Sequence, residues 1–229
     1  MTSVSSAPAP PDDSFAAALR GFGPVGLLAI LAIFAGNLLF VPLSALLALL
    51  WAWRSRTPWR DIGYVRPRGW IVGLAAGLVL GSALKLLMKA LVMPLLGADP
   101  LNQAYHHLVG NAAALPGMLY LIVAGAGFGE ETVWRGWLFE RLGRLLGASP
   151  AARAAIVLVA AGLFGLAHWP EQGLAGTEQA VIVGLVFGWI YAVTGRLWML
   201  MCAHIAFDLT ALALIYWGIE EDVARFLLG

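Results

Sequence analysis

Long apolar stretches separated by short polar segments dominate the pattern of this chain. Most of these stretches approach or exceed the roughly 20 residues that an α-helix needs to cross a bilayer. The pattern therefore predicts an all-α fold, a polytopic transmembrane helical bundle of about six spans. The predicted spans are residues 22–53, 70–97, 117–140, 154–169, 178–194 and 197–218. The first is unusually long and is expected to bend near Pro42. The polar residues 98–116 are expected at a membrane interface.

The composition agrees with a membrane protein. Hydrophobic residues make up 61% of the 229 residues and charged residues 12%, whereas soluble proteins average about 25% charged residues. The chain is therefore expected to be an integral membrane protein in contact with lipid. We expect its location to be a bacterial or archaeal cell membrane. A net charge of +1 gives no support for nucleic-acid binding, and we expect none. Cys202 is the only cysteine, which excludes a disulfide within the chain and a thiol-rich metal site.

The basic residues predict an orientation in the membrane. Nine arginines lie in the loops after the first, third and fifth spans, so these loops are expected in the cytoplasm. Arg20 and Arg225 would then lie on the opposite side, with both termini outside. Lys85 and Lys89, near the outer end of the second span, are expected to snorkel to the interface. The same span carries Gly73, Gly77 and Gly81 at intervals of four, which predicts a face that a second helix can approach closely.

Charged and polar residues inside the spans point to function, because they are costly in a bilayer. The third span holds Glu130, Glu131 and Arg135, the fourth ends with His168, and the sixth holds His204 and Asp208. The Glu131–Arg135 and His204–Asp208 pairs are four residues apart, so each pair shares one helix face. Three such polar stripes cost least when they face one another around a small wet cavity. Read singly, they are also compatible with a buried ion pair, an interfacial histidine and a hydrogen-bonded helix contact.

Two chemical interpretations remain open for these residues. A glutamate beside a histidine can act as a general base on water, while a second histidine and an aspartate stabilise an oxyanion. Alternatively, Glu130, His168, His204 and Asp208 offer nitrogen and oxygen ligands for one divalent metal such as zinc. Both interpretations predict a hydrolase. The sequence contains neither the HExxH zinc motif nor a GxSxG serine motif.

The ordered motifs resemble a known family. Residues 130–135 give EExxxR, residues 164–168 give FxxxH and residues 204–208 give HxxxD. Together they resemble the CPBP family of CAAX proteases and bacteriocin-processing enzymes, also called the Abi family, over residues 115–215. The resemblance implies a membrane-embedded endopeptidase acting on a CAAX-like or leader-peptide-like substrate that is associated with the membrane.

By the same resemblance, Glu130 and His168 would activate water. His204 and Asp208 would stabilise the oxyanion or help to bind a metal, and Glu131 with Arg135 would shape the site. Eukaryotic CAAX enzymes of this family carry asparagine where this chain has Asp208.

The resemblance also suggests a division of the chain. We predict a disordered N-terminal tail (1–21), N-terminal spans with the interfacial segment (22–114), a catalytic core (115–219) and a short C-terminal tail (220–229). The alternatives to an enzyme are a non-catalytic immunity or scaffold protein on the same bundle and a proton-coupled transporter. Six short-looped spans without an internal repeat make the transporter the weakest of the three.

Overall fold

The computed structural model describes residues 13–227, and helices make up the regular secondary structure of this range. Four helices, α4 to α7, are long and apolar enough to cross a membrane, which confirms the predicted all-α polytopic bundle. The helices are α1 (Ser14–Arg20), α2 (Pro24–Ala35), α3 (Leu43–Arg54), α4 (Trp70–Leu95), α5 (Ala112–Leu146), α6 (Pro150–Thr194), α7 (Trp198–Tyr216) and α8 (Glu220–Arg225).

Helix α6 is folded into two antiparallel arms. Gly173 has φ 60° and ψ −156°, a conformation that glycine adopts without steric cost, and the chain reverses there. A Cβ on Gly165 would lie 2.3 Å from a methyl carbon of Val181, and one on Gly184 would lie 3.0 Å from the Ala161 Cα. The arms therefore pack closely along their length, and they correspond to the predicted fourth and fifth spans.

The single span predicted over residues 22–53 is wrong. Helices α2 and α3 pack against each other as a hairpin. The Asn37 amide donates to the Ser44 hydroxyl (2.9 Å), and the Ser44 amide donates to the Asn37 side-chain oxygen (3.0 Å). Each arm has 12 residues, or ~18 Å at ~1.5 Å per residue, which is shorter than the ~30 Å hydrocarbon core. The hairpin thus enters the bundle and returns to the same end.

The predicted N-terminal tail needs a second correction, because its residues 14–20 form α1. Asp13 caps this helix by accepting a hydrogen bond from the Ala16 amide at 3.1 Å, and it also pairs with Arg54 at 2.9 Å. Residues 1–12 of the predicted tail lie outside the described residues, as do residues 228–229. The predicted C-terminal tail likewise begins with a helix, α8.

The predicted orientation of the N-terminus is also wrong. Arg20 donates to the Ser55 carbonyl, and its own carbonyl accepts from Arg141 at 2.7 Å. Arg20 therefore lies at the same end of the bundle as the nine loop arginines. We call this the arginine-rich end. The chain reaches the other end by α8, where Glu220 pairs with Lys89. The first and last described residues thus lie at opposite ends of the bundle.

The glycine face of the second predicted span packs inside the bundle, against α7. A Cβ on Gly77 would lie 2.6 Å from the Cys202 Cβ, and one on Gly81 would lie 2.0 Å from the Ala203 carbonyl oxygen. Trp198, at the start of α7, donates its indole N–H to the Trp70 carbonyl at 2.9 Å. Helices α4 and α7 therefore run parallel and in near contact, which positions the polar face of α7.

Substituting Gly81 tests this contact. Gly81→Ala places a methyl group against backbone rather than against a flexible side chain, so we expect a loss of about 1–3 kcal/mol. The variant should show a lower unfolding temperature in detergent. Gly143→Ala is the matched control, because nothing lies within 4 Å of a Cβ there and alanine favours helix. Equal unfolding temperatures for the two variants would contradict the close packing of α4 on α7.

Candidate active site

A cavity of about 390 Å³ lies between the tip of the hairpin and the helices α4 to α7. Four of the six predicted site residues line it, namely Glu130, His168, His204 and Asp208. The other two, Glu131 and Arg135, are buried beside it, with 0% and 1% of their surface exposed. The three polar stripes of the sequence therefore do face one another around one cavity.

The Glu131–Arg135 ion pair is buried beside the cavity. The Arg135 Nη1 donates to the Glu131 Oε1 at 2.9 Å. Both residues lie in the stretch Leu121–Trp137, where α5 is wound as a π-helix. Such windings are frequent at functional sites, and here Gly125, Gly127 and Gly129 leave room for close neighbours. A Cβ on Gly127 would lie 2.3 Å from Ile205 of α7.

Aromatic rings from both arms of α6 enclose the arginine. The Arg135 guanidinium lies 4.4 Å from the Phe164 ring centroid and 5.6 Å from that of Phe187. A guanidinium over an aromatic face is attracted by the ring quadrupole, and more strongly where water is excluded. Phe164, the first residue of the FxxxH motif, therefore contacts two site residues. Its ring also packs edge-on against the His168 ring, with the two ring centroids 4.6 Å apart.

His204 is held by the same buried carboxylate. Its Nδ1 lies 2.7 Å from the Glu131 Oε1, so the ring donates there and its Nε2 is directed to the cavity. The Nε2 lies 3.7 Å from the Glu130 Oε2 and 3.9 Å from the Asp208 Oδ2. Glu131 therefore orients His204. Asp208 shares the helix face, as its spacing predicts, but stays beyond hydrogen-bond distance.

His168 has its tautomer set by the backbone. Its Nδ1 lies 2.8 Å from the Phe164 carbonyl oxygen, which can only accept, so Nδ1 carries the proton. In the neutral ring, Nε2 is then an acceptor. His168 is half-buried and lines the cavity. It thus offers a lone pair to a water molecule or a substrate N–H.

Glu130 differs from its neighbour Glu131 in reaching the cavity, which Glu131 does not line. Its side chain is 29% exposed, and its Oε2 is buried without a hydrogen-bond partner among the described residues. An unsatisfied carboxylate oxygen is costly in a dry interior. Because the Glu130 side chain lines the cavity, its carboxylate can also take a water molecule or a substrate group there.

The rim of the cavity is polar. Tyr105, in the segment between α4 and α5, accepts a hydrogen bond from the Gln172 amide at 3.2 Å. Burial raises the pKa of the Tyr105 phenol above its usual value, so the hydroxyl stays protonated and remains a donor. Asn102 and Glu171 line the same rim. These residues lie at the end of the bundle opposite the arginine-rich end.

The predicted zinc ligands do not have the arrangement of a metal site. Within residues 13–227, no three His, Cys, Asp or Glu side chains form a group that could hold a metal ion. Zinc needs its ligand atoms ~2.0–2.2 Å away and its histidines presented through a free nitrogen. The side chains of Glu130, His168, His204 and Asp208 are not placed as such a group, and zinc dependence stays a prediction.

Sequence reasoning missed several cavity residues. Asn37 and Val41 reach the cavity from the hairpin tip, which a single long span would have placed elsewhere. Lys85 also lines the cavity and is 6% exposed, so the prediction that it snorkels is wrong. The sequence spacing does indicate that Lys85 is buried, because Lys85 follows Gly81 by four residues and so lies on the helix face that packs on α7.

Comparison with known proteins supports the same region. Residues 112–210 match the model of a family described as type II CAAX prenyl endopeptidase, Rce1-like. Over this segment the chain is similar to the CAAX protease family. The match runs from the start of α5 into α7 and contains all six predicted site residues. No curated protein and no solved structure matches the chain.

The buried Glu131–Arg135 pair gives a direct test of the site. Glu131→Ala leaves Arg135 uncompensated between two phenylalanine rings and removes the partner of His204. We expect a loss of about 3–5 kcal/mol, as for other broken buried pairs. Adding Arg135→Ala should recover part of that loss, because the unpaired charge is then gone. Unfolding temperatures in detergent measure both effects. A single variant as stable as the wild type would mean that the two residues do not pair in a dry site.

Proposed function

We propose that this membrane protease is an endopeptidase in which Glu130 and His168 activate water against a peptide bond of a membrane-associated substrate. In this proposal residues 115–219 are the catalytic core. The substrate is a peptide segment of the CAAX-like or leader-peptide-like kind. The family match supports a protease of the CAAX type in general.

One observation carries the proposal. The Glu130 side chain is 29% exposed and lies on the wall of a cavity that also presents the His168 and His204 rings. A cavity of about 390 Å³ lies within the range of roughly 300–1,000 Å³ that is usual for ligand sites. Glu131, by contrast, is 0% exposed and binds Arg135 and His204 through its Oε1. The arrangement therefore favours a group that works on a bound water.

The reaction follows from these positions. A water bound between Glu130 and His168 gives a proton to the Glu130 carboxylate while its oxygen attacks the scissile carbonyl carbon. The resulting tetrahedral intermediate breaks its C–N bond, and the proton on Glu130 passes to the leaving amine. His168 holds the water through its Nε2 lone pair. The products are a carboxylic acid and an amine, and Glu130 returns to its starting state.

The oxyanion of the intermediate needs a donor. The Nε2 of His204, when it carries a proton, is the group best oriented for this role, because Glu131 fixes the ring through Nδ1. Asp208, on the next turn of α7, would add a second donor in its protonated form. The asparagine that related eukaryotic enzymes carry at this position offers an N–H donor without having to be protonated. Glu131 and Arg135 would position the other groups without contacting the substrate, since both are buried away from the cavity.

The arrangement also suggests where the substrate enters. The arginine-rich end carries Arg20 and the nine loop arginines, and such clusters face the cytoplasm in most membrane proteins. The cavity rim, with Tyr105 and Gln172, lies at the other end. The substrate segment would then enter from the non-cytoplasmic face of a bacterial or archaeal cell membrane.

The test compares peptide termini in membranes of cells that produce the wild type, Glu130→Gln or Glu178→Gln at matched levels. Glu130→Gln keeps the shape of the side chain and removes the base, so we expect termini generated by the wild type to fall by at least 100-fold. Glu178→Gln is the control, because Glu178 does not line the cavity and should leave these termini unchanged. Mass spectrometry of the membrane fraction identifies the termini and the substrate together.

Two results would contradict the proposal. Wild-type termini that persist in the Glu130→Gln cells would mean that Glu130 is not the base. Identical sets in all three strains and in cells without the protein would favour the scaffold interpretation.

A further inference from the structure

Asn37, at the tip of the hairpin, uses only one half of its side-chain amide within the protein. Its Oδ1 accepts a hydrogen bond from the Ser44 backbone amide at 3.0 Å. A backbone amide can only donate, so this contact fixes which end of the side chain is the oxygen. Among residues 13–227, nothing accepts a hydrogen bond from the Nδ2, which carries two N–H donors. The hairpin turn therefore depends on the oxygen of Asn37 and leaves its nitrogen available.

The depth of Asn37 in the bundle matches that of Glu130. The Phe34 ring packs against the Trp134 ring, with the two centroids 5.6 Å apart. Asn37 follows Phe34 by three residues and Glu130 precedes Trp134 by four, and both steps lead away from the arginine-rich end. At ~1.5 Å per residue the steps are ~4.5 Å and ~6 Å, so the two residues lie within ~2 Å in depth. Amide donors without an acceptor are costly at this depth in a bilayer, and a bound molecule can supply one.

The hairpin tip and α7 flank α5 on different sides. A Cβ on Gly125 would lie 3.0 Å from a Val41 methyl carbon, and one on Gly129 would lie 3.3 Å from the Pro42 Cβ. Gly127, between these two glycines, instead faces α7. The cavity therefore has a hairpin wall as well as an α7 wall, and a bound peptide would lie between them.

The two buried lysines of α4 do not offer a donor on the hairpin wall. The Lys85 Nζ donates to the Gln179 Oε1 at 3.0 Å and reaches the cavity from α4. The Lys89 Nζ lies 2.9 Å from the Glu220 Oε1 in a buried ion pair, so the predicted snorkelling of Lys89 is wrong as well. On the hairpin wall, Asn37 is the cavity-lining residue with a side-chain donor.

An extended peptide has acceptors on both of its edges. Consecutive backbone carbonyls of a strand point to opposite sides. In the proposed function, the scissile carbonyl is directed to the His204 Nε2 on the α7 wall. The carbonyls of the residues on either side of it then point away from α7, toward the hairpin wall and Asn37.

We propose that Asn37 binds the substrate backbone by donating from its Nδ2 to the carbonyl of a residue next to the scissile one. This rests on the proposed endopeptidase function and adds to it a substrate-binding residue outside the segment of the family match. The peptide is then held at both edges, by His204 at the scissile carbonyl and by Asn37 at a neighbouring carbonyl. The contact is to the main chain, so it positions the peptide beside Glu130 whatever its side chains are.

The experiment first uses a labelled octapeptide pool whose last four positions are randomised, prepared with and without an S-farnesyl cysteine at the fourth position from the end. Mass spectrometry of the wild-type products identifies a cleaved sequence and its scissile bond. That sequence is then made in three forms: unmodified, with a thioamide in place of the carbonyl one residue before the scissile carbonyl, and with a thioamide one residue after it. A thiocarbonyl sulfur accepts hydrogen bonds more weakly than an oxygen does.

The purified proteins are the wild type, Asn37→Leu and Ser44→Ala, and the readout is kcat/KM for each peptide. Asn37→Leu keeps the approximate size of the side chain and removes its donors. Ser44→Ala is the matched control, because it removes the hydroxyl that accepts from the Asn37 backbone amide at 2.9 Å and leaves the Asn37 side chain intact.

We expect one of the two thioamides to lower kcat/KM of the wild type by about 3- to 10-fold, the effect of weakening one hydrogen bond. Asn37→Leu should cleave the unmodified peptide less well and should lose no more on that thioamide, because the interaction is already gone. Ser44→Ala should keep the thioamide effect of the wild type.

Four results would overturn the inference. Equal wild-type cleavage of all three peptides would show that neither neighbouring carbonyl is bound. A thioamide effect that persists in Asn37→Leu would assign the contact to another group. Loss of the effect in Ser44→Ala as complete as in Asn37→Leu would assign it to the hairpin fold rather than to the Asn37 side chain. Cleavage of no pool by the wild type would contradict the proposed function itself, and this result is distinct from the other three.

Discussion

The Glu131 carboxylate is the interaction on which the site depends. It has 0% exposure, and one of its oxygens contacts both the Arg135 guanidinium and the His204 ring. It thereby links α5 to α7 within the bilayer, where a lone charge would be costly. Phe164 and Phe187 cover the arginine and complete the enclosure. Because Glu131 is committed to these contacts, its neighbour Glu130 is left as the free carboxylate of the cavity.

Close helix packing and a short hairpin provide the space around these groups. The glycine face of α4 brings its backbone against α7, and this contact sets the position of His204 and Asp208. The hairpin of α2 and α3 spans only about half of the hydrocarbon thickness. Its tip, with Asn37 and Val41, therefore ends beside the cavity, and an open volume remains between the tip and the rim. A full transmembrane helix in its place would have filled that volume.

Much of this arrangement could be predicted from the sequence, because intramembrane charges are rare and their spacing is informative. The i, i+4 spacing indicated the Glu131–Arg135 pair, and the cost of charge in lipid predicted that the three polar stripes meet. The pairing of His204 with Glu131 could not be predicted. It depends on which oxygen faces which ring across two helices, and sequence spacing holds no information on that.

The failures have a common physical cause. Averaged hydrophobicity treats residues 22–53 as one span. The chain nevertheless reverses direction within it, because two hydrogen bonds join Asn37 to Ser44 and Ser44 packs closely against Gly36. The same averaging concealed α1, which a capping aspartate and an ion pair stabilise. Lys85 was taken as a snorkelling residue because it lies near a span end, although the glycine spacing places it on the face that packs on α7.

The difference between Glu130 and Glu131 can be measured most directly by chemical labelling. The folded protein in detergent is treated with a carbodiimide that reacts with accessible carboxyl groups, and fragmentation mass spectrometry distinguishes the two adjacent residues. Our account predicts modification of Glu130 and protection of Glu131 in the folded protein, with both labelled after unfolding. Equal labelling of the two in the folded protein, or labelling of Glu131 alone, would contradict a buried Glu131 and a free Glu130.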